Sequence, residues 1–481
     1  MTTGKSVLGA TAMAMASTLR ATIQIAALPI IGRILGPHAY GQMALVIPFI
    51  LFANLLAESG LGTCIVRAER LTKELEGSIF CFSAGFSLFI VILFATLAYP
   101  VGHMLREPLF PALLLGMSTI LPLATLNIVP MALLLRDKRY NWIALTDVVS
   151  TLGSVTAVSI GIFLNWGVWS LVAQQITFWV CKVTVVTIGS RSRPQFYFDL
   201  NIIKENISFG ANLTAASALS FIANNIDNVL IGASMGTETL GYYALATQIV
   251  TLPATVMRGS VYYTVLSGTS EAWRKGDSSP DGFMKALRGV LLLSAPAMIG
   301  LGVTAPLSIP FILGDRWLPI VPILICLVPL GLTQALWLPI WGILVGMGRA
   351  DLIFKLGLIG SATTIAAILL GVHFGSIAVA LGVSIAGVII LSYTFRITLQ
   401  LFSTRPKRVL WAITVPLIAA SSMGCVVIVV QETLFTGLPL AMRLTVSIGV
   451  GILAYGLILA GLFRDHISDD LAVVKTALFS R

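Results

Sequence analysis

The chain has 481 residues, of which 57% are hydrophobic and 10% charged, with a net charge of +10 and a mean hydropathy of +0.95. Soluble proteins carry about 25% charged residues, so this composition excludes a water-soluble globule and makes lipid the main solvent. The positive charge must be read from where the cations fall, because a basic membrane rim and a nucleic-acid surface give the same sum.

The chain starts with one lysine, Lys5, and then an apolar run over 7–32. That run is longer than the ~7–15-residue core of a signal peptide and is read as a retained first span. Further apolar runs follow at 41–66, 77–103, 109–135, 142–164, 167–190, 207–233, 239–266, 284–312, 318–346, 352–371, 374–400, 409–430 and 441–463. Each reaches the ~20 residues that a crossing needs. They predict an all-α polytopic protein of fourteen transmembrane helices, because lipid cannot satisfy an open strand edge.

Lysines and arginines test the count. Odd-numbered hairpins hold four: Arg33, Arg106, Arg316 and Arg443. The N-terminus, the even-numbered hairpins and the tail hold twenty-one, among them Arg136, Lys138, Arg139, Arg349, Arg405 and Arg408. The positive-inside rule then places both termini in the cytoplasm. The charge is a basic rim facing lipid headgroups, so no nucleic-acid partner is expected. The longest connection, near 267–283, leaves no room for a soluble catalytic domain. The five cysteines all lie in apolar runs without metal-type spacing and read as small buried hydrophobes.

The chain also repeats itself. "GPHAYGQMAL" at Gly36–Leu45 and "GTETLGYYAL" at Gly236–Leu245 align at an offset of 200, with Gly36 on Gly236 and Gly41 on Gly241. A second pair, beginning at Leu152 and Ile359, puts Gly153-Ser154 on Gly360-Ser361 and Gly167 on Gly375. Segments 1–6 and 7–12 therefore read as two copies of one unit. An even number of crossings gives both copies the same orientation, and the cavity between such repeats is the usual transport site. The expected plan is an N-lobe over 1–190, a cytoplasmic linker over 191–206, a C-lobe over 207–402, and two further helices with a cytoplasmic tail over 403–481.

Fourteen segments in a 6+6+2 plan, with "RILGPHAYGQMAL", "ESGLGTCIVR", "NNIDNVLIG" and "LGYYALATQIVTLP", resemble the Wzx-type oligosaccharide flippases. These form the polysaccharide-transporter branch of the multidrug/oligosaccharidyl-lipid/polysaccharide exporter superfamily. The resemblance implies a non-enzymatic flippase in the bacterial inner membrane. It would move undecaprenyl-diphosphate-linked sugar repeats to the outer leaflet for exopolysaccharide, capsule or O-antigen, as two lobes rock around a cationic cavity. Its partners would be that lipid-linked oligosaccharide, membrane lipids and a polysaccharide polymerase or co-polymerase. The protein itself would be a monomer.

An ionisable group at the bilayer centre costs about 2.5–3.5 kcal/mol on insertion scales and usually faces a cavity or a partner. Arg20 lies mid-segment with Gln24 one turn on, and Glu58 lies one turn after Asn54. Arg258 is equivalent to Glu58 at the offset of 200. Arg20 and Arg258 are expected to meet the diphosphate, since their fixed fork of donors matches phosphate oxygens. Gln24, Asn54 and Glu58 complete the expected cavity. Asp227, Asn224 and Asn228 share one helical face, and Asp227 resembles the cation-site aspartate of relatives. They are the expected coupling-ion residues, with H⁺ or Na⁺ left open and no other cofactor.

Asp147, Lys355 and Arg396 are expected to snorkel, and deeper Lys182 to pair inside or snorkel rather than touch substrate. Trp142, Trp166, Trp169 and Trp317 read as an interfacial belt, and Tyr242, Tyr243, Tyr262 and Tyr263 as packing residues. A cation-coupled drug antiporter of the same fold is the alternative; it favours acidic cavity residues and twelve helices. A polytopic glycosyltransferase or polymerase needs a reactive cluster on a sizeable loop, which is missing.

Overall fold

The computed structural model describes residues 2–58, 61–68, 70–192, 196–274, 281–402, 406–433 and 439–462. Among these the chain is helical, with no strand. The helices are α1 (Thr2–Glu58), α2 (Leu61–Arg67), α3 (Lys73–Met104), α4 (Phe110–Ser118), α5 (Ile120–Arg136), α6 (Tyr140–Phe163) and α7 (Trp169–Ser190). Next come α8 (Leu200–Met235), α9 (Thr237–Arg274), α10 (Asp281–Leu313), α11 (Ile320–Gly346) and α12 (Ala350–Gly371). The last three are α13 (Ser376–Leu401), α14 (Pro406–Thr433) and α15 (Leu440–Leu462). Eleven helical stretches among the described residues are long and apolar enough to cross a membrane.

Local chemistry explains where the helices differ from the expected segments. The first two segments form one continuous helical stretch that turns at Gly36 (φ 74°, ψ 176°). Only glycine adopts that backbone cheaply, and Pro37 is well suited to restart the helix behind it. The fourth segment is interrupted at Thr119, between α4 and α5. Pro122 supplies no N–H to the Ser118 carbonyl there. The Ser118 and Thr119 hydroxyls donate back to the carbonyls of Leu115 and Gly116, both at 2.7 Å. α8 begins at Leu200, about two turns before the expected seventh segment. Asp199 caps it, its carboxylate accepting from the Asn201 N–H at 2.8 Å.

The chain divides into two compact units, Met1–Gly241 and Tyr242–Arg481. In the first, α1 packs along α6, α6 along α7, and α5 along α7. α8 packs on α1, α2 and α3. Ile203 of α8 joins the buried cluster of Leu61, Ile65 and Ile79, and Phe221 meets Phe52 with ring centroids 5.9 Å apart. The basic rim also ties helix ends together. Arg136 donates through Nη1 to the carbonyls of Ile65 (2.8 Å) and Ala68 (2.6 Å), and Arg139 donates to Gly189 (2.5 Å). A cation on the last carbonyls of a helix both satisfies orphan acceptors and opposes the helix dipole.

In the second unit α10 packs against α11, α14 and α15 around Leu287, Leu291, Ile340 and Ile343. The Tyr455 hydroxyl on α15 donates to the Leu292 carbonyl at 3.0 Å. Trp317, expected in an interfacial belt, is fully buried, with Tyr242 edge-on to it and the Tyr242 hydroxyl donating to the Arg316 carbonyl. A wide indole ring enclosed on all sides gains dispersion contacts over its whole surface. Arg349 and Asp351 form an exposed bidentate pair at 2.9 and 2.8 Å, and that pairing raises the guanidinium above its usual pKa.

Positive-φ backbone positions recur along the chain at a nearly constant spacing. Left-handed residues fall at Gly36 and Gly236, Arg106 and Gly314, Lys138 and Gly348, and Gly167 and Gly375. Those offsets run from 200 to 210. The turn after α5 donates Asp137 N to Leu133 O, Lys138 N to Leu135 O and Arg139 N to Leu134 O. The turn after α11 repeats it 210 residues later, with Met347 to Ile343, Gly348 to Val345 and Arg349 to Leu344. This is the helix-ending motif in which the sixth residue closes back on the first.

Candidate functional site

Within the first unit, charged side chains from helices far apart in sequence come together. Three small residues bring α6 and α7 close. A β-carbon on Gly153 would lie 2.8 Å from Cys181 Sγ, one on Gly161 2.9 Å from Ser170, and one on Gly189 2.7 Å from the Trp142 ring. That packing puts Asp147 of α6 and Lys182 of α7 on neighbouring helices, with Arg20 of α1 alongside.

Arg20 Nη1 and Asp147 Oδ1 are 3.8 Å apart, with side chains 42% and 26% exposed. Lys182 lies within electrostatic reach of Asp147, Glu58 and Arg20. Its ammonium sits 4.8 Å from the Trp179 ring centroid and 5.8 Å from that of Phe178. Cation–π contacts of this kind hold a Lys where it is partly desolvated. Asp147 is therefore drawn to Arg20 rather than outward to an interface: a carboxylate on an apolar helix gains more from an adjacent guanidinium than from a partial reach to water. Lys182 lies against the Phe178 and Trp179 rings.

Of the other expected residues, Asn54 is half-buried, while Gln24 and Glu58 are exposed. Asp227 Oδ1 accepts from the Asn228 N–H at 2.9 Å, and Asn225 Nδ2 donates to the Phe221 carbonyl at 2.9 Å. Both residues thus engage their own helix backbone. Arg258 lies in α9, but its side chain, like those of Asn224, Tyr262 and Tyr263, lies outside the described residues. Tyr243 is buried, as expected of a packing residue.

A second polar constellation had no warning in the sequence. Glu107, 8% exposed, accepts from Gln42 Nε2 at 2.9 Å through Oε1 and from Thr237 Oγ1 at 3.1 Å through Oε2. It joins the turn before α4 to one residue in each of the two repeated stretches. Nothing in "REPLF" marks Glu107, because its partners lie 65 and 130 residues away. Lys182 did leave a trace: Gln175, Phe178, Trp179 and Lys182 are spaced i, i+3, i+4, i+7 on one face of α7.

The described residues make a multi-pass helical protein that carries an ion pair on its apolar helices. A solved structure titled lipid II flippase MurJ, inward closed conformation, matches with a TM-score of 0.77 at 20% identity, covering 96% of this chain and 100% of that one. The chain belongs to the polysaccharide biosynthesis protein family, whose model matches residues 30–322.

Two relatives extend the match. The lipopolysaccharide biosynthesis protein WzxC of Escherichia coli (strain K12) is 23% identical over 398 residues, covering 81% of this chain and 80% of its own. The succinoglycan biosynthesis transport protein ExoT of Rhizobium meliloti (strain 1021) is 24% identical over 359 residues, covering 74% and 72%. The likeness to Wzx-type flippases read from the sequence is borne out.

Proposed function

We propose that the protein is a flippase for undecaprenyl-diphosphate-linked oligosaccharide repeats, acting in surface polysaccharide biosynthesis in the bacterial inner membrane. The observation that carries this reading is the Arg20–Asp147 ion pair, with Lys182 and Glu58 around it, on the apolar helices of a polysaccharide biosynthesis family member. Charges on membrane helices are costly unless a water-filled, functional face repays them. A lipid-linked sugar needs such a face: its headgroup must leave water for a polar shelter while its tail stays in hydrocarbon.

In this reading fourteen helices form two six-helix lobes and a C-terminal pair, with both termini cytoplasmic. Alternating access moves the headgroup past Arg20, Gln24, Asn54, Glu58 and Arg258. Asp227, with Asn224 and Asn228, is the place where an H⁺ or Na⁺ gradient acts. No residue is assigned a catalytic role. The protein works as a monomer beside a polysaccharide polymerase or co-polymerase.

The test is deletion in the source strain. Undecaprenyl-linked sugar should accumulate at the inner leaflet while polymer export stops, and the intact gene should restore export. Normal export without the gene overturns the reading.

A further inference from the structure

We propose that Arg20, Asp147, Trp179 and Lys182 form a sugar subsite, holding the carbohydrate and not the diphosphate of the translocated headgroup. This rests on the flippase reading above and narrows what the site recognises.

Charge balance comes first. Arg20 and Lys182 contribute two positive charges, and Asp147 and Glu58 two negative ones, within one electrostatic neighbourhood. A diphosphate is a polyanion, and it is best held by cations that have no carboxylate already beside them. A guanidinium paired at 3.8 Å with Asp147 has much of its field cancelled, and a carboxylate there repels phosphate oxygens.

The same set suits a neutral, hydroxyl-rich ring. A carboxylate accepts from vicinal hydroxyls, while guanidinium and ammonium donate to ring and hydroxyl oxygens. An indole offers a broad apolar face to the C–H side of a pyranose. On α7 the face comprising Gln175, Phe178, Trp179 and Lys182 supplies amide, aromatic and cation in one stripe, with Phe178 and Trp179 edge-to-face at 6.2 Å. The exposure of Arg20 and Asp147, 42% and 26%, leaves polar atoms for a ligand.

The experiment uses the purified full-length protein in lipid nanodiscs and two probes, undecaprenyl diphosphate and undecaprenyl diphosphate carrying a single hexose. Wild type should bind the glycosylated carrier more tightly. Trp179→Ala and Asp147→Asn should each weaken that binding about tenfold, roughly the loss of one aromatic or charge-assisted contact. Binding of the bare carrier should stay within about twofold. Trp179→Phe, which keeps an aromatic face, should retain most of the discrimination and shows that the fold survives substitution there. Equal loss for both probes would assign the cluster to the diphosphate and overturn the subsite. Wild-type binding of both probes that no variant changes makes the cluster structural and also overturns it, leaving the flippase reading intact. If wild type binds neither probe, the flippase reading falls and the subsite with it.

Discussion

Gly41 and Gly241 occupy matching places in the two repeated stretches and press against each other's turns. A β-carbon on Gly41 would run into the Thr237 carbonyl and lie 2.8 Å from the Gly241 nitrogen. A β-carbon on Gly241 would run into the Pro37 carbonyl and lie 3.1 Å from the Gly41 nitrogen. The contact is self-complementary, as at a two-fold interface between subunits, but both halves belong to one chain. Backbone cannot yield as a side chain tip can, so Gly41→Ala and Gly241→Ala should each cost at least about 2 kcal/mol. Gly85→Ala, where nothing lies within 4 Å, should be neutral or slightly stabilising. Thermal unfolding of the three purified variants compares them directly.

Glu107 bridges Gln42 and Thr237 beside that contact. Glu107→Ala strands two buried donors, at about 1–3 kcal/mol for each left unsatisfied. Glu107→Gln keeps one acceptor and should lose less than half as much. Thr237→Val in the Glu107→Ala background should add little further loss, because its partner is already gone. A double-mutant cycle on unfolding midpoints reads this coupling.

The Arg20–Asp147 pair makes a different demand. Arg20→Ala or Asp147→Asn alone leaves an unmatched charge on an apolar helix and should cut polymer export about tenfold or more at equal membrane abundance. Exchanging the two, Arg20→Asp with Asp147→Arg, should recover stability in the membrane better than either single change. It should not recover full export, because the donors and acceptor have traded places. Complementation of a deletion strain, with immunoblots for abundance, separates the two effects.

The proposed orientation can be checked without any substrate. Cysteines placed at Lys138 and Arg349 in a cysteine-free background should resist a membrane-impermeant maleimide in intact cells, whereas one at Arg106 should react. Reaction at Lys138 from outside would invert the topology.

Much of the fold was legible because lipid imposes a simple rule: apolar length reads as helix. The turn at Gly36 and its echo at Gly236 were visible as repeated letters. The equivalence of Lys138 and Gly348 was not, since the two share a left-handed backbone and no side chain. The site was harder. Arg20 announced itself as a charge in mid-span, but Asp147 lies only seven residues into α6 and looked free to reach the surface. Pairing across helices depends on which faces the small residues bring together, and Gly153 and Cys181 do not state that on their own. Trp317 misled for the opposite reason: aromatics near helix ends usually mark a lipid boundary, but here a 3-10 turn, Asp315–Trp317, folds the ring into the protein.

The placement of α8 has a practical consequence for dissecting the molecule. In the repeat register it opens the second copy, but Gly232 lies 2.6 Å, measured from its would-be β-carbon, from the Leu45 side chain, and Asp199 N donates to Ser78 Oγ at 3.1 Å. A gene severed in the 191–199 connection would give the first fragment a bare apolar groove and the second a helix with nothing to cover. The repeat read from the letters and the compact units draw their borders one helix apart, so a cut at the repeat border would split a packed unit.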